Sequence, residues 1–283
     1  MADQLITSEL RRWLVEQAQA GHATEQVLAA MLASGWVEAV AKKALQEASS
    51  EALQTQRGSG GLLGVSRVPG PDLAASAPSL WAQDRWVNVL LTLRHPRVIV
   101  FGNLLSDEEC DALRALAASR LARSETVAEA SDGSEVNTAR TSEGMFFERG
   151  ETALVQRIEA RLAALLNWPL AHGEGLQVLR YRPGAEYLPH YDYFDPDHAA
   201  TPAILKRGGQ RVATLVMYLN TPDAGGATTF PDVRLEVSPI KGNAVFFSYD
   251  QPRPLTQTLH GGAPVLVGEK WVATKWLREG VFV

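Results

Sequence analysis

The feature that most constrains this chain is a set of polar residues that lie far apart in sequence yet suit a single metal ion. The run His190-Tyr191-Asp192 supplies an imidazole and a carboxylate, and His260 supplies a second imidazole much later in the chain. Two histidines and one carboxylate can hold a non-haem Fe(II) from one side and leave coordination positions free for other ligands. A fold that uses these residues together must bring two distant segments of chain side by side.

The sequence around His190 predicts two short strands joined by a turn. Residues 177–182 (QVLRYR) have strand composition, a Pro-Gly pair follows, and residues 187–194 return as an aromatic strand. Residues two apart on a strand project from the same face. We therefore expect His190 and Asp192 to point together into one cavity.

Each candidate residue also has an ordinary interpretation when it is taken alone. An isolated H-x-D pattern is frequent by chance, and His260 alone is consistent with a hydrogen-bonded histidine in a loop or at a strand end. Lys270 begins a predicted strand at 270–277, and alone it is consistent with a solvated charge, since lysine is rarely buried without a partner. The joint pattern is what favours a metal site.

An ordered set of motifs surrounds these residues within the range 96–283. The motifs are Glu174–Asp192 (EGLQVLRYRPGAEYLPHYD), Arg211–Asn220 (RVATLVMYLN), Gly225–Pro231 (GGATTFP), Lys241–Phe247 (KGNAVFF) and His260–Leu277 (HGGAPVLVGEKWVATKWL). In sequence and in order they resemble the Fe(II)- and 2-oxoglutarate-dependent dioxygenases of the prolyl 4-hydroxylase family. The last motif is the most specific of the five.

The resemblance implies roles for the residues that match. His190, Asp192 and His260 match the iron ligands, and Lys270 matches the basic residue that binds the distal carboxylate of 2-oxoglutarate. An ammonium group in a partly desolvated site attracts a carboxylate much more strongly than it does in water. Tyr181 matches a tyrosine that hydrogen-bonds the co-substrate, and its alternative is an aromatic core residue.

Further positions match the substrate groove of family members that act on proline-rich chains. Each could equally be a surface residue or, for the tryptophan, part of the barrel core. These positions are Arg140, Ser142, Glu174, Tyr187, Arg211 and Trp276. As a set they favour a substrate that offers a peptide backbone.

The resemblance also implies a reaction. Fe(II), 2-oxoglutarate and O2 are the expected cofactor and co-substrates; 2-oxoglutarate is decarboxylated to succinate and CO2 while a prolyl residue of a peptide or protein is hydroxylated. Asp192 favours hydroxylation, because related halogenases lack this carboxylate. Two alternatives stay open: the same chemistry on a free amino or imino acid or a peptide natural product, and a metal-dependent binding or oxygen-sensing protein without turnover. A requirement for L-ascorbate also stays open.

The chain is expected to contain a small helical module at 1–50, a linker and lead-in at 51–95, and the dioxygenase domain at 96–283. The fold class is mainly β with flanking helices: a double-stranded β-helix (jelly-roll) core plus the N-terminal helical module. A long Pro- and Gly-containing segment, 195–210, is predicted to form a lid. The predicted helices are 5–20, 24–33, 36–48, 106–121 and 151–166, and the predicted strands are 98–101, 177–182, 187–194, 211–219, 244–249 and 270–277.

Composition limits the possible partners and locations. The 283 residues carry a net charge of -5, and residues 1–50 contain six acidic against four basic side chains, which disfavours binding to nucleic acid. We expect the helical module to pack on the catalytic domain or to form a homodimer. Cys110, the single cysteine, excludes an intramolecular disulfide, fits a cytoplasmic location and is expected to serve in packing. The sequence has no apolar run of membrane-spanning length and begins with no secretory signal pattern.

Overall fold

The structure is a computed structural model that describes residues 14, 24–38, 40–45, 68–123, 126–127, 134–135 and 141–283. The chain divides into two compact units, Met1–Gly64 and Val65–Val283. No helix in the described ranges has both the length and the apolar character that crossing a bilayer requires.

The first unit is helical where it is described. Helix α1, Thr24–Ala33, has the bounds that the sequence predicts, and residues 38 and 40–45 are helical within the prediction for 36–48. The predicted helix at 5–20 lies outside the described residues apart from Leu14. A small apolar core holds the unit together and consists of Leu14, Val27, Met31, Ala41 and Ala44.

The second unit is built from seventeen described strands and three described helices. The helices are α2 (Asp107–Ala118), α3 (Ala153–Leu165) and the short α4 (Thr201–Leu205). The strands are β1 (Ser79–Ala82), β2 (Arg85–Leu93), β3 (Arg97–Gly102), β4 (Ala122–Arg123), β5 (Thr126–Val127), β6 (Ser134–Glu135), β7 (Glu143–Phe147), β8 (Leu176–Tyr181), β9 (Tyr187–His190), β10 (Arg211–Tyr218), β11 (Ala224–Gly225), β12 (Thr228–Phe230), β13 (Leu235–Val237), β14 (Ala244–Ser248), β15 (His260–Gly262), β16 (Val265–Val267) and β17 (Lys270–Arg278).

Two antiparallel sheets form the body of this unit. The larger sheet has nine strands in the order β1-β2-β3-β14-β10-β17-β8-β7-β4, and the smaller has four in the order β13-β12-β15-β9. Because many neighbours in these sheets are distant in sequence, the chain crosses between them repeatedly. The predicted jelly-roll fold with flanking helices is confirmed.

Strand alternation gives the large sheet two different faces. On β17, Trp271, Ala273 and Leu277 pack in one core cluster with apolar residues of α2 and α3. Lys270, Val272, Thr274 and Trp276 project from the opposite face and line a pocket. One face of the large sheet is therefore covered by helices, and the other meets the small sheet around the pocket.

The helices that cover the sheet begin at well-defined caps. Ser106 and Glu109 form a capping box at the start of α2, and the Thr152 hydroxyl accepts a hydrogen bond from the Val155 amide at the start of α3. Cys110 is fully buried on the inner side of α2, as the sequence predicts for a packing residue. Burial raises the pKa of its thiol to about 11, so the side chain is a neutral apolar group at ordinary pH.

Most predicted elements agree with the structure to within a few residues, with one informative exception. Residues 187–194 were expected to form one strand, but β9 ends at His190 and residues 192 and 193 form a bend. The prediction of a continuous strand is wrong: the chain bends after His190, where side chains of β10 hold Asp192 outside the ladder.

Candidate active site

His190, Asp192 and His260 come together as the sequence predicts. His190 and His260 lie opposite each other in the β9–β15 ladder, and their rings are 4.4 Å apart. The Asp192 carboxylate lies between them, with Oδ1 at 3.5 Å from His190 Nε2 and Oδ2 at 3.4 Å from His260 Nε2. One donor atom from each residue lies within 4.8 Å of the others. This spacing is suitable for three ligands of one ion.

Both imidazoles are oriented by backbone carbonyls. His190 Nδ1 lies 2.9 Å from the carbonyl oxygen of Leu188, and His260 Nδ1 lies 3.0 Å from that of Thr258. A carbonyl oxygen only accepts hydrogen bonds, so each Nδ1 carries the proton. The Nε2 lone pair of each ring is then free to face the centre of the group, which is how a histidine binds a metal.

Asp192 reaches the centre from the bend after β9. The Thr214 hydroxyl on β10 donates a 2.7 Å hydrogen bond to Asp192 Oδ2, and Arg211 Nη1 donates a 3.3 Å bond to the Asp192 backbone oxygen. The position of this carboxylate is thus set by side chains of β10, and strand alternation alone does not determine it.

The electrostatics favour the protonation states that a metal site requires. Burial alone would raise the pKa of Asp192, but the imidazoles of His260 and His190 hold that pKa well below its usual value. Burial, together with the neighbouring His260, lowers the pKa of His190. At neutral pH the group therefore offers an ionised carboxylate and a neutral His190.

Lys270 lies in the same pocket as the triad and has no salt-bridge partner in the described part of the chain. Its side chain is 4% exposed, and its ammonium nitrogen lies 5.4 Å from the Tyr181 ring centre and 6.0 Å from that of Tyr218. Burial lowers the pKa of Lys270 to about 8. A buried cation without a carboxylate partner is costly unless a ligand supplies one.

The pocket between the triad and Lys270 has mixed polar and apolar walls. Tyr181, the last residue of β8, pairs with Lys270 across the ladder and is buried beside it. Apolar walls come from Leu179, Val216 and Val272, while Thr228 and Thr274 supply hydroxyls. A small dicarboxylate matches this arrangement, since one end can meet the ammonium and the other the triad.

The structure places the predicted substrate residues in different surroundings. Tyr187 stacks on the His190 ring with 3.7 Å between ring centres, and Trp276 lines the pocket with an indole N–H that is buried without a partner in the described part of the chain. Ser142 is buried, and Arg140 lies outside the described residues.

Glu174 and Arg211 belong to a buried ion cluster behind the pocket. Arg211 donates two hydrogen bonds to Glu174, at 2.7 and 2.9 Å, and Arg278 donates a third at 2.6 Å. Arg211 also lies over the Trp276 ring, 4.2 Å from its centre. Arg211, held by Glu174, thus connects Trp276 in the wall of the pocket to the backbone of Asp192.

The segment at 195–210, predicted to be a lid, is anchored at both ends. The Gln210 side chain pairs with the backbone N–H and C=O of Phe194, each at 2.8 Å, and the Thr201 hydroxyl donates to the carbonyl of Asp195. The helix α4 lies within this segment. His198 Nδ1 accepts a hydrogen bond from the amide of Ala200, and His198 is not part of the candidate ligand group.

Sequence reasoning missed Thr214 and Tyr249, which stand directly behind Asp192. The Thr214 hydroxyl lies 3.1 Å from the Tyr249 hydroxyl, and both side chains are buried. For Thr214 the available signal was its place as the one hydroxyl residue in the otherwise apolar run VATLVM of β10.

Comparison with known proteins adds independent information. Residues 176–278 match the family model described as the 2OG-Fe(II) oxygenase superfamily. Prolyl 4-hydroxylase 5 of Arabidopsis thaliana is 39% identical over 220 residues, covering 70% of this chain and 73% of the relative, and prolyl 4-hydroxylase 1 of the same plant is 40% identical over 231 residues, covering 71% and 78%. The solved structure of viral collagen prolyl hydroxylase from Paramecium Bursaria Chlorella virus-1, as a 2OG complex, is 32% identical with a TM-score of 0.50, covering 64% of this chain and 94% of that one.

Proposed function

Because the chain belongs to the prolyl 4-hydroxylase family within the 2OG-Fe(II) oxygenase superfamily, we propose that its substrate is a prolyl residue in a peptide or protein. The family membership makes it a 2-oxoglutarate-dependent dioxygenase that uses Fe(II), 2-oxoglutarate and O2. The similarity to prolyl 4-hydroxylases supports the prolyl substrate. The observation that carries the assignment of the site is the pairing, in one pocket, of a His-Asp-His group with a buried lysine that lacks a carboxylate partner among the described residues.

We assign the iron to His190, Asp192 and His260. The donor set fits Fe(II), since it offers two imidazole nitrogens with their protons held on Nδ1 and one ionised carboxylate. When bound, iron and 2-oxoglutarate supply the oxidative chemistry, in which 2-oxoglutarate loses CO2 to become succinate. The chain itself holds, orients and shields the reacting groups.

We assign the distal carboxylate of 2-oxoglutarate to Lys270. A carboxylate beside this ammonium would remove the cost of the unpaired buried charge, and low local polarity strengthens the attraction. The apolar side chains Leu179, Val216 and Val272 would exclude water from the middle of the co-substrate. Tyr181, adjacent to Lys270, is proposed to hydrogen-bond the co-substrate.

We place the prolyl substrate against Tyr187 and Trp276, at the mouth of the pocket. The buried indole N–H of Trp276 has no partner in the described part of the chain and is suited to donate to a peptide carbonyl. Arg211 and Glu174 support the Trp276 ring from behind, and Ser142 lies on the segment that precedes β7. Arg140 keeps its predicted substrate role as a proposal.

The substrate proposal is tested by mass. The protein is incubated with Fe(II), 2-oxoglutarate, air and either a proline-rich peptide or free proline. We expect one added oxygen on the peptide and succinate in equal amount, with neither product from free proline. An added oxygen on free proline alone would favour the free imino acid alternative. Iron binding without any succinate would favour a sensor.

The metal assignment is tested by His260→Ala. Loss of one of three protein ligands is expected to lower 2-oxoglutarate decarboxylation by roughly 100-fold or more, because metal affinity and ligand geometry both suffer. Succinate release is measured with added Fe(II) for both proteins, and circular dichroism checks that the variant is folded. Full decarboxylation by the folded variant would contradict the assignment.

Three further properties stay predictions. A requirement for L-ascorbate is tested by comparing turnover with and without it, and a homodimer is tested by sedimentation of the full chain. A cytoplasmic location is tested by fractionation of cells that express the protein.

A further inference from the structure

We propose that Tyr249 and Thr214 form a hydrogen-bond relay that fixes Asp192 as a one-oxygen ligand. This inference rests on the proposed Fe(II) site and deepens it by naming two positioning residues. Neither residue is expected to touch iron, co-substrate or substrate. Their role is to occupy one carboxylate oxygen so that the other faces the metal.

Counting protons sets the direction of the relay. An ionised carboxylate only accepts hydrogen bonds, so the 2.7 Å contact between Thr214 Oγ1 and Asp192 Oδ2 uses the single proton of the threonine hydroxyl. The 3.1 Å contact between Thr214 Oγ1 and the Tyr249 hydroxyl must then have the tyrosine as donor. All protons in the chain therefore point toward Asp192.

The two oxygens of Asp192 consequently differ. Each oxygen lies near one imidazole, Oδ1 at 3.5 Å from His190 Nε2 and Oδ2 at 3.4 Å from His260 Nε2. Only Oδ2 also accepts the Thr214 bond, and in the described part of the chain no hydroxyl or amide side chain donates to Oδ1. A metal at Oδ2 would have to share that oxygen with the Thr214 bond, whereas Oδ1 has both of its lone pairs available. We therefore assign the metal to Oδ1.

The residues around Asp192 keep its carboxylate in this position. Thr214 and Tyr249 are 0% and 2% exposed, so neither hydroxyl is in contact with bulk water. Arg211 holds the Asp192 backbone oxygen at 3.3 Å and is itself fixed by Glu174. The backbone and the side chain of Asp192 are thus held by two separate contacts from β10.

A carboxylate that binds through one oxygen occupies one coordination position, whereas one that binds through both occupies two. A triad of single-atom ligands leaves three positions, enough for a two-atom contact from the 2-oxo acid and one O2. The relay thereby keeps a position available for O2. Its loss is expected to affect metal affinity and the number of open positions, even before turnover.

The test uses matched variants of the full chain. Thr214→Val keeps the shape of the side chain and removes the hydroxyl, Thr214→Ser keeps the hydroxyl, and Tyr249→Phe removes only the outer donor. Thr152→Val is a control for the general cost of deleting a threonine hydroxyl away from the pocket, since the Thr152 hydroxyl accepts from the Val155 amide at the start of α3. Each metal-free protein is titrated with Co(II), and its visible absorption reports the number of ligands.

We expect Thr214→Val to bind Co(II) about 10- to 100-fold more weakly than wild type, with a changed absorption intensity. Tyr249→Phe is expected to weaken binding about 2- to 10-fold, the effect of one lost hydrogen bond. Thr214→Ser and Thr152→Val are expected to match wild type in both affinity and spectrum.

The possible outcomes are distinguishable. Wild-type protein that binds no Co(II) would overturn the proposed metal site itself. Wild-type binding together with unchanged affinity and spectrum in Thr214→Val would overturn the relay and leave the metal site intact. If Thr214→Val does not fold, the comparison of Tyr249→Phe with Thr214→Ser decides, and equal affinity and spectra in those two variants would overturn the relay.

Discussion

Lys270 and Lys275 lie on the same strand, β17, and are buried almost equally, yet their surroundings differ completely. Lys275 is 3% exposed and its ammonium lies 2.5 Å from a Glu159 carboxylate oxygen on α3, with the Glu174 carbonyl as a second acceptor. Lys270 is 4% exposed and meets only aromatic ring faces and the pocket, with no ion pair in the described ranges. A paired buried lysine contributes to the fold, whereas an unpaired one indicates a missing ligand.

The same contrast extends to the two faces of the large sheet. On the helix-covered face, the buried Arg161 is held by Asp84 and Glu109 through several bonds of 2.7 to 2.8 Å. On the pocket face, the carboxylate of Asp192 and the ammonium of Lys270 have no such charged complement in the described residues beyond the neighbouring imidazoles. The charge of Arg161 is complete without a ligand, whereas those of Asp192 and Lys270 become complete only with iron and co-substrate.

Among the variants that test this comparison, Lys275→Ala is expected to have the largest effect. Removal of the ammonium leaves the Glu159 carboxylate buried without its partner, which is expected to destabilise the protein by about 3–5 kcal/mol. The measurement is the free energy of unfolding in urea. The double variant Lys275→Met with Glu159→Leu is the control and is expected to recover most of the loss. A single variant as stable as wild type would remove the structural role assigned to this pair.

Lys270→Ala is expected to act on binding and not on folding. Loss of the ammonium leaves a substrate carboxylate unpaired in the pocket, so the KM for 2-oxoglutarate is expected to rise about 100-fold, within the range for buried charge pairs. The unfolding free energy is expected to stay equal or to increase, since the unpaired charge is gone. Lys270→Arg, which keeps the charge, is the matched control. An unchanged KM in Lys270→Ala would show that another group binds the co-substrate.

Raising the pH is expected to weaken the binding of 2-oxoglutarate through Lys270. The pKa of Lys270 is lowered from 10.5 to about 8, so above pH 8 the free enzyme loses the charge that attracts a carboxylate. The KM for 2-oxoglutarate is expected to rise by roughly tenfold per pH unit there. Metal affinity is followed in parallel to exclude loss of iron. A KM that stayed flat up to pH 10 would contradict this account.

The same pKa has the opposite consequence for folding. Between about pH 8 and 10.5 the unfolded lysine still binds a proton that the folded one has released, so this group makes the folded state more stable as pH rises. Below pH 8 the buried charge costs on the order of 3 kcal/mol, which 2-oxoglutarate is expected to offset. Saturating 2-oxoglutarate should therefore raise the melting temperature of wild type more than that of Lys270→Ala.

The smallest effect is expected from Cys110→Ala, on the helix-covered face. Cys110 is buried in the core beneath α2. Burial raises the pKa of its thiol to about 11, so the thiol stays protonated at ordinary pH. The loss of one buried sulfur is expected to cost about 1 kcal/mol of stability. Succinate release should be unchanged in this variant. A changed KM for 2-oxoglutarate or a lower rate of succinate release by the folded protein would show that this face influences the pocket.

Several strands and helices could be predicted from patterns in the sequence. The strands β3, β8, β10, β14 and β17 and the helices α2 and α3 lie within a few residues of their predictions, because long apolar runs with clear caps and turns determine local structure strongly. The strands β1, β2, β4, β5, β6, β7, β11, β12, β13, β15 and β16 were not predicted. Most have only two to five residues, too few to show a period, but β2 has nine and lies within the range predicted as linker and lead-in.

The sequence by itself determined the identity of the candidate ligands, the family and the face of β17 on which Lys270 lies, since alternation along a strand is a local property. Only the tertiary structure decided that Lys275 has a carboxylate partner and Lys270 has none in the described chain, and that Thr214 and Tyr249 hold Asp192. Partners of this kind come from elements distant in sequence. They depend on how the strands pair and how the helices pack, and no short stretch of sequence encodes that.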